Sequence, residues 1–434
     1  MSSETIFASA TGAGRAAIAV IRLSGPLVGA VVERLAGRLP QPRFAQYARL
    51  ADPRNGETID RGLVLYFPQP NSPTGEDYAE LQIHGGRAVT RALLRVLSDF
   101  PGLREAQPGE FARRSLANGK MDLSQVEGLA DLIEAETEFQ RRQAIRALGG
   151  ALRERVESWR GGLIRALALV EAELDFSDEG DVFETATALR PLLASLISEM
   201  ADVLATGERS ERLRDGFVVL LLGPPNSGKS TLLNTLARRE AAIVSPAPGT
   251  TRDMIEVHLD LGGMPVTLVD TAGLREATDE IERIGIARTR ARICEADLLL
   301  WLSDGGGDAP QSEAIAGVDS IRVATKADLR RCTADELAIS ARTGFGIDRL
   351  LEEMTDRAKR RLGDGSTALL TRERHRRLIQ ETKDAIETSL DSGKPLEFVA
   401  DDLRVAGRAL GRIVGAVDVE DVLDAIFSQF CIGK

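Results

Sequence analysis

Apolar and polar positions divide the chain into stretches of different texture. Up to residue 118, short apolar runs are separated by Gly, Pro and Asn turns. Ala17-Ile-Ala-Val-Ile-Arg-Leu and Gly62-Leu-Val-Leu-Tyr-Phe predict strands there, and Val89 to Leu97 carries helical spacing. From Leu123 to about Glu211, apolar residues recur every three or four positions among Ala, Leu, Glu and Arg. This predicts helices, interrupted by the acidic Phe176-Ser-Asp-Glu-Gly-Asp-Val. At Gly216 the pattern changes. Phe217-Val-Val-Leu-Leu-Leu reads as a short buried strand, and strands and helices then alternate to about Arg361, as in a parallel sheet with crossovers. Gly363-Asp-Gly-Ser-Thr reads as a linker, and helical spacing returns from Thr371 to Phe430. The fold class expected is multidomain α/β and α. An α+β domain spans 1–118, a helical domain is formed by 119–212 and 366–434 packing together, and an α/β module over 213–365 is inserted between its halves.

Composition narrows the classes of function. At 434 residues the chain has room for about three domains. No apolar run approaches the roughly 18 residues of a membrane span, and the start lacks the basic-then-apolar layout of a secretion signal. A cytoplasmic protein with no membrane association is expected. The 55 basic and 66 acidic residues give a net charge of −11, so any contact with nucleic acid needs a local basic surface. Cysteine occurs only at 294, 332 and 431, a scattered set that suits reduced thiols. Histidine occurs only at 84, 258 and 375, with no local signature of a metal cage or a Ser-His-Asp triad. Lysine is scarce: seven positions (120, 229, 326, 359, 383, 394, 434) against 48 arginines, and four of the seven fall in motifs treated below.

Gly223-Pro-Pro-Asn-Ser-Gly-Lys-Ser-Thr matches the phosphate loop G-x-x-x-x-G-K-[ST], and it lies between the strand at 217–222 and an amphipathic helix over Thr231 to Ala237. Backbone N–H groups of Asn226, Ser227, Gly228 and Thr231 and of the helix N-terminus suit phosphate oxygens. Lys229 suits the β- and γ-phosphates, and the Ser230 hydroxyl suits Mg²⁺. Asp270-Thr271-Ala272-Gly273 follows the strand Val266 to Val269, which places Asp270 in the metal's outer shell and Gly273 at the γ-phosphate. Gly249-Thr250-Thr251-Arg-Asp lies about twenty residues past the phosphate loop, where a switch loop brings a threonine to Mg²⁺. Thr325-Lys326-Ala-Asp328 follows the strand Ile321 to Ala324, and Ser340-Ala341-Arg342 follows another. Order and spacing point to a Ras-like P-loop GTPase. An ATPase is the alternative, and it must explain Asp328, whose carboxylate accepts from guanine N1–H and the 2-amino group, whereas adenine offers an acceptor at N1. The usual motif is Asn-Lys-x-Asp. Thr325 should weaken a contact near the base and ribose while leaving most guanine selection with Asp328. Leu274 stands where Ras-like enzymes carry a water-orienting glutamine, so hydrolysis needs another residue.

Ile243-Val-Ser-Pro-Ala-Pro-Gly-Thr-Thr-Arg-Asp, the phosphate loop and the terminal Cys431-Ile-Gly-Lys together resemble the bacterial tRNA-modification GTPases of the MnmE family, also called TrmE. Thr74-Gly-Glu-Asp-Tyr-Ala-Glu-Leu-Gln-Ile-His-Gly-Gly and Pro108-Gly-Glu-Phe-Ala-Arg-Arg-Ser-Leu-Ala-Asn-Gly-Lys-Met-Asp-Leu extend the resemblance over the whole chain. The resemblance implies G domains that dimerise across the nucleotide with K⁺. Its ligands would be Asn226 with Ser245, Ala247 and Thr250, in a switch segment that also holds Pro246, Pro248 and Gly249. Thr251 would hold Mg²⁺, and Glu282 would position the water that Leu274 cannot; alone, Glu282 reads as a solvated helix carboxylate. The resemblance further implies an N-terminal domain that binds 5,10-methylene- or 5-formyl-tetrahydrofolate through Arg22, Glu80, Lys120 and Lys434. Cys431 would lie near the folate as a catalytic thiol, or be a free tail cysteine.

The family acts as a homodimer with MnmG, an FAD- and NADH-dependent protein, in a heterotetramer that modifies C5 of the wobble uridine of certain tRNAs. Arg141, Arg142 and Arg146, and Arg372-Glu-Arg-His-Arg-Arg, are candidate tRNA contacts or solvated helix faces. The competing function is an Era-like ribosome-assembly switch without folate chemistry, which has no use for Lys120 or the Cys-Ile-Gly-Lys terminus.

Overall fold

The structure, a computed structural model, describes residues 4–12, 14–175, 183–239, 241–243, 256–270, 296–304, 317–329, 336–363, 369–391, 393–415, 426–427, 430 and 433. The chain divides into two compact units, residues 1–130 with 410–434, and residues 131–409.

In the first unit, β1 (Thr5–Ser9), β2 (Ile18–Ser24), α1 (Val28–Ala36), β3 (Gln46–Ala51), β4 (Thr58–Phe67), β5 (Tyr78–His84), α2 (Arg87–Ser98), β6 (Leu103–Glu105), α3 (Glu110–Ala117) and α4 (Leu123–Glu134) follow in order. The six strands form one sheet in the order β3-β4-β5-β2-β1-β6, antiparallel except for the β1–β6 pair. The alternation seen in the sequence sorts the residues of β2, β4 and β5 to two faces. Ile21, Leu23, Val64 and Leu81 turn toward a core they share with α1 and α2. The opposite face carries Arg22 directly across from Glu80, and Tyr47 across from Leu63, with Tyr47 and Leu63 exposed. A second cluster packs Leu123 and Val126 of α4 against Phe427 and Phe430, residues from the end of the chain. Gly109 allows this approach, because a Cβ there would lie 2.8 Å from the Phe427 ring.

The second unit holds α5 (Glu138–Leu148), α6 (Ala151–Asp175) and α7 (Phe183–Asp215). They are followed by β7 (Phe217–Leu222), α8 (Lys229–Ala237), β8 (Ala242–Ile243), β9 (Glu256–Leu261), β10 (Met264–Asp270), β11 (Leu298–Ser303), β12 (Asp319–Ala324), β13 (Leu337–Ala338), α9 (Ile347–Leu362) and α10 (Glu373–Ser389). Helix α11 (Leu396–Val414) follows. The sheet order is β13-β12-β11-β7-β10-β9-β8, parallel from β13 to β10, with β9 and then the edge strand β8 added antiparallel. The continuous apolar run of β7 sits at the centre and is buried, whereas β9, next to the edge strand β8, alternates buried Val257, Leu259 and Leu261 with half-exposed His258 and Asp260. Helix α9 buries Ile347, Leu350, Met354, Ala358 and Leu362, a stripe at three- and four-residue spacing, and ends in Lys359, Arg360 and Arg361, which suit the helix C-terminus.

The helices and the sheet of this unit are joined at specific points. Thr137 and Gln140 form a reciprocal capping box at the start of α5, and Gln140 Nε2 also donates to the Arg214 carbonyl at 2.9 Å. Phe139 packs against the sheet's core at Gly263, where a Cβ would lie 2.5 Å from the ring. Asp297, at the start of β11, accepts from the Val218 N–H at 3.1 Å and from Arg212 at 2.5 Å, and so fixes the end of α7 to β7 and β11. The sequence started the helix after the phosphate loop at Thr231; it begins at Lys229, which places the lysine and Ser230 in the first turn. The acidic break at 176–182 and most of the linker at 363–367 lie outside the described residues.

Gly346 caps α9 with φ +71°, and a Cβ there would lie 2.1 Å from the Ala338 carbonyl oxygen. Gly346→Ala should therefore destabilise the unit by about 2–4 kcal/mol, a loss of several degrees in melting temperature. An unchanged melting curve would contradict this packing.

Candidate functional site

All the parallel strands of the second unit end at the same edge of the sheet, and each delivers one piece of the site there. The strand order reverses at β7, whose neighbours are β10 and β11, so the loops leaving β7 have space to hold a ligand. The phosphate loop leaves β7 at Gly223, and its approach to β11 is very close: a Cβ on Gly223 would lie 2.2 Å from the Leu302 carbonyl oxygen. Gly228 (φ +91°) opens α8, so the backbone N–H groups of the first helical turn point out of the loop, as anion binding requires.

Lys229 is largely buried, and its ammonium donates to the carbonyls of Gly223 at 2.9 Å and Pro224 at 3.0 Å. The loop's own backbone thereby holds the cation across its mouth, where β- and γ-phosphates would meet it. Ser230 Oγ donates to Asp270 Oδ2 at 3.2 Å, across from β7's neighbour β10. A hydroxyl and a carboxylate so placed form a hard-oxygen pair that fits Mg²⁺ held by Ser230, with Asp270 behind it.

Beyond the phosphate loop, β12 is followed by Thr325, whose buried hydroxyl lies 2.8 Å from the Ser227 carbonyl and 3.0 Å from the Ser303 carbonyl. Lys326 donates to the Asn226 carbonyl at 2.9 Å and to Asp304 at 3.1 Å. Asn226 (φ 61°) and Lys326 (φ 57°) are two of the three non-glycine residues with left-handed backbone among the described residues, and they touch at this site. The Leu329 N–H donates to the Lys326 carbonyl at 2.9 Å, closing a turn that leaves Asp328 exposed. Buried Ser340 begins a loop that folds on itself: its N–H donates to Phe345, and its Oγ accepts from the Thr343 N–H at 3.3 Å. The Ala341 carbonyl accepts from Thr235 of α8 at 3.2 Å, and Arg342 follows in that loop.

Asn226, Ser227, Gly228, Lys229, Ser230, Asp270, Thr325, Lys326 and Ser340 are thus gathered at one edge of the sheet. Thr231 lies in the first turn of α8. Ser245, Pro246, Ala247, Pro248, Gly249, Thr250, Thr251, Thr271, Ala272, Gly273 and Glu282 lie outside the described residues, as do Cys431 and Lys434. Sequence reasoning missed Ser303 and Asp304, although they close the buried strand β11 at the same edge.

A second cluster lies in the first unit, on the sheet face opposite its helical core. Arg22 Nε sits 3.3 Å from Glu80 Oε1, and Arg22 Nη1 donates to the Gly433 carbonyl at 3.4 Å. The buried Tyr78 hydroxyl donates to Glu80 at 2.9 Å, and burial pushes this phenol far above its usual range, so it stays a donor. Arg22 Nε is buried without a hydrogen bond. Gly433 (φ +98°) fits against Ser9, whose carbonyl oxygen a Cβ would approach to 2.3 Å. Lys120 lies beside Gly75, its Cε 3.3 Å from where a Cβ would be.

Several arginines of the basic stretches have acidic partners within the chain. Arg372 is bonded to Asp131 at 2.7 Å with both side chains largely buried, and Arg376 faces Glu211. Arg141 and Arg142 both bond to Glu138 at 2.7 Å. These guanidiniums are engaged by carboxylates of the chain itself.

The phosphate loop, its Ser230–Asp270 pair and the Thr325-Lys-Ala-Asp loop are joined by matches to known families. Residues 5–120 match the family described as GTP-binding protein TrmE N-terminus, and residues 123–431 match the MnmE helical domain. Proteins called tRNA modification GTPase MnmE are similar over the full length. One from Methylobacterium sp. is 54% identical, covering 100% of both chains. One from Azorhizobium caulinodans is 53% identical over 100% of this chain and 99% of its own, and one from Rhodopseudomonas palustris is 51% identical with the same shares. The chain belongs to the MnmE family of tRNA modification GTPases. MnmE membership makes it a GTP hydrolase of tRNA modification and sets aside both the ATPase and the Era-like reading. Among the described residues no helix is long and apolar enough to cross a membrane.

Ser230→Ala and Asp270→Asn should each lower Mg²⁺-dependent GTP turnover about 100-fold while weakening GDP binding less than about tenfold, since the backbone cradle is retained. Steady-state hydrolysis over a Mg²⁺ series, with GDP titrations, checks this. Turnover at the unaltered level would remove the pair from metal binding.

Proposed function

We propose that this GTPase is K⁺-dependent and works with MnmG to add an aminomethyl or carboxymethylaminomethyl group at C5 of the wobble uridine of certain tRNAs. It uses a one-carbon tetrahydrofolate, and it couples hydrolysis to dimerisation of its G domains. The observation that carries the reading is the meeting of Arg22, Glu80 and Gly433, which lodges the end of the chain beside a charged pair on the sheet face opposite the α1–α2 core. A GTPase switch has no need of such a cluster.

The donor chemistry suits the folate. Glu80, kept oriented by the protonated Tyr78 hydroxyl, accepts from an amino-pyrimidine edge, and the Arg22 guanidinium paired with it offers donors beside it. Lys120 and Lys434 supply cations for a glutamyl tail. Bound there, the folate supplies the carbon to be transferred, with Cys431 near it. The exposed Tyr47 and Leu63 on the same sheet face suit burial against a second copy in a homodimer.

At the nucleotide, Asn226 projects from the phosphate loop at a left-handed position. With Ser245, Ala247 and Thr250 it would hold K⁺, which adds positive charge beside the β- and γ-phosphates when two G domains meet. Thr251 would complete the Mg²⁺ site, and Glu282 would orient the attacking water. MnmG, with its FAD and NADH, joins in a heterotetramer, and tRNA is the substrate of the assembly.

Two measurements test the reading separately. GTP turnover should rise at least about tenfold in KCl over NaCl and fall to background in Glu282→Ala with nucleotide binding intact. Equal rates in both salts would end the K⁺ role. Calorimetric titration should show 5-formyltetrahydrofolate binding that Arg22→Ala weakens at least tenfold without altering GDP affinity. No heat with the unaltered chain would end the folate role.

A further inference from the structure

We infer that this chain reads guanine through the carboxylate of Asp328 and leaves the N7 position of the base without a hydrogen-bond donor, because the Thr325 hydroxyl is committed to the protein backbone. The inference deepens the GTP site and rests on Asp328 as the reader of the base.

A hydroxyl has a single proton to donate. Thr325 Oγ1 lies within 3.0 Å of two carbonyl oxygens, those of Ser227 in the phosphate loop and Ser303 at the end of β11, and neither can donate in return. Whichever of the two takes it, the proton is held within the protein. Thr325 is also buried, and a Cβ on Gly228 would lie 3.7 Å from its side chain. Guanine N7 is an acceptor and needs a donor. An asparagine at this position, as in the usual motif, brings two N–H donors, enough to bond a backbone carbonyl and the base at once. Threonine can do only the first.

The layout of the nucleotide explains why the two edges are read separately. N7 belongs to the ring that carries the ribose, on the side of the phosphates, whereas N1 and the 2-amino group lie on the far edge. Thr325 touches the phosphate loop, and Asp328, three residues on, projects from the exposed turn closed by Leu329 and Lys326. The far edge therefore falls to Asp328 and the near edge to position 325. Lys326, bonded to Asn226 and Asp304, is engaged between them. The tether has its own role as well: with the Gly223 contact, it fixes the phosphate loop to the end of β11.

Competition of GDP, 7-deaza-GDP, IDP and ADP against a fluorescent GDP analogue on the full-length chain tests this. The expected result is that 7-deaza-GDP binds within about twofold of GDP, whereas IDP, which lacks the 2-amino group, is at least tenfold weaker. Thr325→Asn should create a preference for GDP over 7-deaza-GDP of about fivefold, the effect of one added hydrogen bond. Thr325→Val should weaken GDP and 7-deaza-GDP alike, leaving their ratio near one. If 7-deaza-GDP binds to the unaltered chain five- to tenfold more weakly than GDP, N7 is read and the inference falls, however the variants behave. ADP competing as well as GDP would instead overturn the reading of the base by Asp328.

Discussion

The approach of the phosphate loop to strand β11 governs the geometry of the nucleotide site. At Gly223 the backbone passes so near the Leu302 carbonyl that a methyl group would lie 2.2 Å from its oxygen, and one turn later the Ser227 carbonyl meets the Thr325 hydroxyl. These two contacts sit on either side of the loop and join it to β11 and β12. The loop's N–H groups are consequently preorganised, and little reorganisation is left for the moment of binding or reaction. Lys229 depends on the same arrangement, because its ammonium is held by carbonyls at the loop's beginning.

The sheet carries this constraint outward. Asp297 starts β11 and ties it to β7 and to Arg212 at the end of α7, so the strand that touches Gly223 is anchored at its other end to the helical part of the unit. Phe139 and Gln140 make a second attachment, at the β9–β10 turn and at Arg214. β9 and β10 lead directly to the segments expected to act as switches.

Much of this was legible in the sequence, for physical reasons that differ by residue. The β7 run and the phosphate loop could be read because a strand buried on both faces is continuously apolar and the loop needs glycine at fixed positions. The stripe on α9 was legible through its period. Helix α8 starts two residues before the position the sequence pattern predicts, since Lys229 and Ser230 look like loop residues until their backbone is known to be helical. Ser303 and Asp304 escaped notice because their roles come from a neighbouring strand more than twenty residues away, and no local pattern marks such a partner. Arg372 stands among basic neighbours in the sequence, whereas its partner Asp131 lies 241 positions distant in the chain. The meeting of Arg22 with Gly433 spans 411 positions and could be expected only through family resemblance.

The central claim is that nucleotide affinity depends on the backbone contact between the phosphate loop and β11. Calorimetric measurement of GDP binding to Gly223→Ala, with circular dichroism to confirm folding, addresses it directly. The account predicts at least a hundredfold loss of affinity in a folded protein, because the methyl group must push the loop away from Leu302. Binding at the original affinity by a folded variant would contradict it.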